Sequence, residues 1–246
     1  MRKLLFLSLA LCCAFVLHAQ DTIVVDEEPT YIVPNYDSLR IQTADPQSPY
    51  YYPMLEKRFL AADTTLSLEQ LHAFYFGYVV RPDYNPYKHF DELDEADKLL
   101  HGKKKPSMKN ILKSITLCDK VIAQKPTEFP VYMKRFYAYY LMKQLYGKDD
   151  PQMVVCSNQL NMLLNAILAS GSGQDFESAI HVNTVAHAYM VMSMIGVRPQ
   201  EQSLLFDHGH AFDVYTLMEN KHGLKEFYVN VTPCLNSLQK GLSDGE

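Results

Sequence analysis

The chain has 246 residues, 23 basic against 28 acidic, and a formal charge of −5, with 12% aromatic residues and no tryptophan. That length suits one large domain or two small ones, and the acidic balance excludes the basic footprint of a nucleic-acid binder. The one compact basic run, Lys103-Lys104-Lys105, reads as a solvated loop between helices.

Met1, Arg2 and Lys3 precede Leu4 to Leu17, an uncharged run of fourteen residues, and then His18, Ala19, Gln20 and Asp21. This order of basic, apolar and small residues predicts a signal peptide over 1–19. The run is shorter than the roughly 20 residues of a spanning helix, so no transmembrane anchor is expected after cleavage. The predicted location is periplasmic or secreted. Removing Arg2 and Lys3 leaves 21 basic against 28 acidic residues, a charge of −7. Residues 20–46 hold Pro29, Pro34 and Pro46 without a sustained period, and they read as an extended leader.

A single α+β domain is expected over 47–241, with 242–246 a flexible tail. Tyr50, Tyr51 and Tyr52 lead into Pro53, which fits the first turn of a helix whose apolar side is Met54, Leu55, Phe59 and Leu60. Ser67 and Gln70 have the spacing of a capping box, and Leu68, Leu71, Phe74, Tyr75 and Tyr78 form one stripe behind it. Pro82 and Pro86 end that order; Leu93, Ala96, Leu99 and Leu100 permit a further short helix.

The strongest helical periods run from Ser107 to Ala123, through Ile111, Ile115, Cys118 and Ile122, and from Glu128 to Tyr146, through Phe129, Tyr132, Phe136 and Tyr140. Pro126 leaves room for only a short connection, which predicts an antiparallel helical hairpin. The pair resembles one tetratricopeptide unit over about 40 residues, yet no second copy follows at a regular spacing, so it reads as a core motif. Another helix is expected from Pro151 to Ala169, ending at Gly171-Ser172-Gly173.

Thereafter the period changes. Ile180 and Val182 suggest a short strand, and Asn183 a cap for a helix ending at Gly196. Ser203–Phe206 and Phe212–Leu217, joined through Asp207-His208-Gly209-His210, read as a hairpin, and Leu224–Val231 alternates as a strand does. Thr232-Pro233 then opens a terminal helix. The expected architecture is a mainly helical N-terminal part with short antiparallel helical hairpins, followed by a small antiparallel sheet and a terminal helix.

Tyr51-Tyr52-Pro53, Phe74-Tyr75-Phe76-Gly77-Tyr78, the segment from Gly171 to Val182, Gln202-Ser203-Leu204 and Phe227-Tyr228-Val229-Asn230-Val231 together carry a family resemblance. Over residues 47 to 235 the chain resembles the exported Bacteroidetes proteins of domain of unknown function family 4919. The resemblance implies an envelope or extracellular protein with helices and a C-terminal sheet, and no reaction.

For chemistry, His208, His210, His181 and His187, with Asp207, form a candidate metal set, because imidazole and carboxylate suit zinc. No HExxH sequence, P-loop or GxSxG elbow occurs. The mature cysteines, Cys118, Cys156 and Cys234, read as buried thiols, with a Cys118–Cys156 bridge as the alternative. Tyrosine suits both a core edge and a recognition surface. The candidate interaction surface is therefore Tyr51, Tyr52, Tyr75, Tyr78, Tyr84 and Tyr87, with Ser172, Gly173 and Ser178 from the crossover between Gly171 and Val182. The functional expectation is a noncatalytic exported or periplasmic interaction domain without a cofactor, meeting an envelope protein, peptide or glycan. The alternative is a secreted histidine-based metal-dependent hydrolase.

Overall fold

The computed structural model describes residues 30–102 and 104–243, so the signal peptide expected over 1–19 lies outside the described residues. Among the described residues the architecture is α+β: seven helices, then a small sheet interrupted by an eighth, then a terminal helix.

The segment read as an extended leader contains helix α1, Tyr36–Ala44. Its period is faint because only Leu39 and Thr43 are buried; Asn35 fixes its start, accepting from the Ser38 N–H at 2.9 Å. Helix α2, Tyr52–Leu60, starts with Pro53 in its first turn and buries Tyr52, Leu55 and Phe59. Helix α3, Leu68–Gly77, carries the capping box of Ser67 and Gln70, and seven of its ten residues are buried. A 3-10 turn, Tyr78–Val80, leads away from it. Gly77 lets α1 approach closely, since a Cβ there would press on the Thr43 methyl at 2.9 Å.

Helices α4, Asp91–Leu100, α5, Met108–Gln124, and α6, Phe129–Tyr146, pack in succession, and α7, Gln152–Leu168, lies against α6 and α3. Ile111, Ile115, Cys118 and Ile122 of α5 are all buried, while Phe136 and Tyr140 of α6 are only half-buried and Tyr139 takes the inner position. Cys118, Cys156 and Cys234 are free and buried, so the bridge between the first two is absent.

Strand β1 is Ile180–His181 and helix α8 Val185–Ile195; β2, Pro199–Asp207, β3, His210–Leu217, and β4, Glu226–Asn230, precede α9, Thr232–Ser243. The predicted hairpin is β2–β3, and the sheet order is β1-β4-β3-β2. The sheet is mixed instead of purely antiparallel: β1 runs parallel to β4, with Ile180 opposite Val229 and His181 opposite Asn230. Ala211, Tyr215, Leu217, Phe227 and Val229 face the helical core. The crossover covers the other face, where Phe176 sits edge-on to Phe212 and Tyr228, each at 5.0 Å. Thr184, not Asn183, stands before α8, because Asn183 is drawn inward, and α9 runs two residues past the expected domain end at 241.

Candidate functional site

An open groove of about 880 Å³ lies where the start of α1, the turn after α3, the ends of three strands and the start of α9 meet. One wall is Val33, Pro34, Tyr36 and Arg40, with Arg81 and Tyr84 beside it. Facing them are Phe176, Glu177, His181, His210, Asn230 and Asn236. Such a mixture of apolar surface with a few polar heads is the usual composition of a ligand cleft.

Local chemistry holds these groups in place. Arg81 is clamped by Asp83, Nε to Oδ1 at 2.9 Å and Nη2 to Oδ2 at 3.3 Å, and its guanidinium lies 4.7 Å from the Tyr52 ring centre. The Tyr84 hydroxyl donates to the Asn183 carbonyl at 2.9 Å. At the floor, the Asn230 side chain accepts from the Thr232 N–H at 3.0 Å and the Thr232 hydroxyl accepts from the Ala211 N–H at 3.0 Å. These two bonds tie the start of α9 to β4 and β3.

The four candidate histidines do not converge. His181 and His210 share the groove. The His181 Nδ1 is buried and has no hydrogen-bond partner among the described residues, and burial pushes its pKa down to about 4. His187 lies in the core with no exposed surface, and both its ring nitrogens are engaged. The Phe129 N–H points at Nε2 from 3.2 Å, so Nε2 accepts and the Nδ1–H donates to the Tyr75 hydroxyl at 2.6 Å. Burial, with Lys125 nearby, holds the His187 pKa far below its ordinary value, so the ring stays neutral.

His208 occupies the hairpin turn with φ of 45°, followed by Gly209 at 79°. Its Nδ1 lies 2.7 Å from Asp207, and that bond raises its pKa. The reversal at His208-Gly209 separates the His208 ring from His210, which would point to one side only on a continuous strand. Among the described residues no three His, Cys, Asp or Glu side chains stand together as a metal-binding group.

The tyrosine surface is corrected at three positions. Tyr52, Tyr75 and Tyr78 are core residues, exposed by 3%, 0% and 3%. Tyr51 and Tyr84 are half-buried and Tyr87 is exposed; of the six, Tyr84 alone lines the groove. In the crossover, the Ser172 hydroxyl donates to that of Ser178 at 2.8 Å, while Asp175 accepts from the Ser178 N–H and hydroxyl, both at 2.7 Å. Gly173 is buried against the Phe227 ring. These groups close a loop, and their polar atoms are already partnered.

Tyr36, Arg40, Arg81 and Asn236 are among the groove residues that sequence reasoning missed. Arg81 and Asp83 on either side of Pro82 were the local signal: a charged pair pinned at a turn directly after an apolar helix. Cys118 and Cys156 do not line the groove, whereas Cys234 adjoins it, its Sγ 3.9 Å from the Tyr84 hydroxyl. Burial raises Cys118 to about 12 and Cys234 to about 11, and it raises Cys156 as well. All three are protonated at neutral pH, and a thiol is the weak form of that nucleophile.

Among the described residues no helix is long and apolar enough to cross a membrane. No curated protein and no solved structure matches the chain. The family model for the Domain of unknown function (DUF4919) matches residues 37–240, from α1 into α9, and the chain belongs to that family.

Proposed function

We propose that this chain is a noncatalytic interaction domain, delivered outside the cytoplasm, whose contact surface is the groove of about 880 Å³ between α1 and the sheet ends. That groove is the observation that carries the reading. It presents aromatic, amide and guanidinium groups held by hydrogen bonds to the scaffold, as recognition of a peptide, glycan or envelope-protein segment requires. The protonated thiols and the neutral, fully engaged His187 fit binding better than nucleophilic turnover. Export rests on the basic and apolar order of the first nineteen residues.

A photo-crosslinking residue at Asn236, in the groove, is compared in native cells with one at Lys113, on the exposed side of α5. A discrete neighbour captured from Asn236 and absent from Lys113 is the expected outcome. Identical adducts from both positions, or none from Asn236, remove the groove as the contact surface. N-terminal sequencing of the native protein tests delivery separately: a chain beginning after Ala19 is expected, and a full-length cytosolic product overturns it.

A further inference from the structure

Strand β2 ends the sheet, and among the described residues nothing pairs with its outer edge. Every residue from Gln200 to Phe206 is exposed, including Leu204 at 47%, Leu205 at 42% and Phe206 at 67%. Leu204 and Phe206 stand on the core side of the sheet, opposite Asp213 and Ala211, yet they are exposed where those partners are buried. Soluble proteins protect such an edge with lysine, proline or a bulge. Here Pro199 and the irregularity between Pro199 and Glu201 occupy one end and Asp207 the other, and Ser203 to Phe206 carries no charge, proline or bulge.

The side-chain order selects a partner. Two copies of one edge strand pair antiparallel about a two-fold axis through a residue, and the choice of that residue decides which side chains meet. Centring on Leu204 sets Glu201 against Asp207, two like charges. Centring on Ser203 sets Glu201 against Leu205, and centring on Phe206 sets Leu205 against Asp207. Only the axis through Leu205 matches throughout: Leu205 meets itself, Leu204 meets Phe206, and the Ser203 hydroxyl meets the Asp207 carboxylate. Leu204 and Phe206 then form aliphatic–aromatic pairs on one face while Leu205 packs on the other.

We propose that β2 binds β2 of a second copy of this chain, antiparallel and centred on Leu205, making one continuous sheet across two molecules. None of the residues lining the groove belongs to β2, so this contact is independent of the groove. A single strand edge gives an interface at the small end of specific contacts, and the dimer is accordingly concentration-dependent.

The test uses the purified protein in sedimentation and cysteine crosslinking. The mass is expected to double as concentration rises, and Phe206→Lys to hold the chain at one copy throughout. Leu205→Cys is expected to form an intermolecular disulfide on mild oxidation, because a residue facing itself across an antiparallel pair has Cα atoms about 4.5–5.5 Å apart. Leu204→Cys, at a slightly more exposed position, is the control: its own counterpart lies diagonally, about 7–8 Å away, and links poorly. Cys118, Cys156 and Cys234 are buried and contribute little background, and Cys12 and Cys13 are replaced by serine in every variant. A monomer at all concentrations, or equal linking by Leu204→Cys and Leu205→Cys, overturns the proposal.

Discussion

The Tyr75 hydroxyl and the His187 Nδ1 stand 2.6 Å apart across 112 residues of sequence. The bond joins α3 to α8, and the Phe129 N–H on Nε2 adds α6, so one neutral imidazole ties three helices together. The Asn183 N–H also donates to the Tyr75 hydroxyl, at 3.1 Å, which brings in the segment between β1 and α8. Protonation of His187 would place a charge in a fully buried position and turn an acceptor into a donor facing another donor.

Stability therefore falls with acid. In the unfolded chain each histidine titrates near 6.5. In the fold, His72 and His181 titrate at about 4, because burial disfavours the cation, and His187 lies well below its ordinary value. Below pH 6.5 the unfolded chain takes up protons that the fold refuses. Stability is thus complete above that point, declines as pH drops, and levels off near 4 for the first two. Together the three remove on the order of 5–6 kcal/mol between pH 7 and pH 5. Urea midpoints across that range measure it, and a flat profile contradicts the buried neutral state.

Asn183 gives a second expectation. Its side-chain amide donates to the Tyr75 carbonyl in the last turn of α3, one of the helix-end acceptors that lack an intrahelical donor. Asn183→Ala leaves that carbonyl unsatisfied and loses about 2 kcal/mol. Asn183→Asp sets a carboxylate against it in a fully buried position and loses more, about 4 kcal/mol. Denaturation of both variants checks the ranking; an Asp variant as stable as the Ala variant refutes the hydrogen bond.

What the sequence disclosed here, and what it hid, follows from how local each signal is. The α5 stripe was legible because Ile111, Ile115, Cys118 and Ile122 repeat at helical spacing and all four are buried. The capping box at Ser67 and the turn at His208-Gly209 are equally local. Helix α1 was hidden because a helix with only two buried residues has almost no apolar stripe. The parallel pairing of β1 with β4 was hidden because nothing near Ile180 names a partner that follows α8, β2 and β3. Asn183 had the residue type of a helix cap, but a buried carbonyl on α3 claimed its side chain. The groove drew on segments before α1, after α3 and around the strand ends, so its residues shared no sequence neighbourhood.

Lys125 and Glu128 supply a third expectation. Their charged ends lie 2.7 Å apart, with side chains exposed by only 1% and 9%, in the connection between α5 and α6. The Lys125 ammonium also stands 5.5 Å from the Tyr78 ring centre. Lys125→Met leaves Glu128 as an unpaired buried charge and removes about 3–5 kcal/mol, whereas Lys125→Met with Glu128→Gln removes much less. The two single variants and the double variant form a cycle in urea denaturation. Additive losses would show that the two groups do not depend on each other.

The crossover gives the last expectation, at Gly171. A side chain there would run into the carbonyl groups of Ser178 and Ala179, which are backbone and have no rotamer to change. The same loop sends the Gly173 N–H to the Ser178 carbonyl at 2.7 Å and receives the Tyr228 N–H on the Gly173 carbonyl at 2.9 Å, so it is fastened to β4. Relief of the clash must open the loop, release Tyr228 and lift Phe176 from Phe212. Gly171→Ala is therefore expected to cost about 3 kcal/mol. It should also speed amide exchange at Tyr228 while leaving the α5 amides protected. Gly147→Ala is the comparison: at φ of 65° it is strained, but a Cβ there meets nothing within 4 Å. Its loss should stay near 1 kcal/mol, the cost of a left-handed backbone alone. Equal losses at the two glycines would mean that conformation, and not the closed crossover, sets the requirement at Gly171.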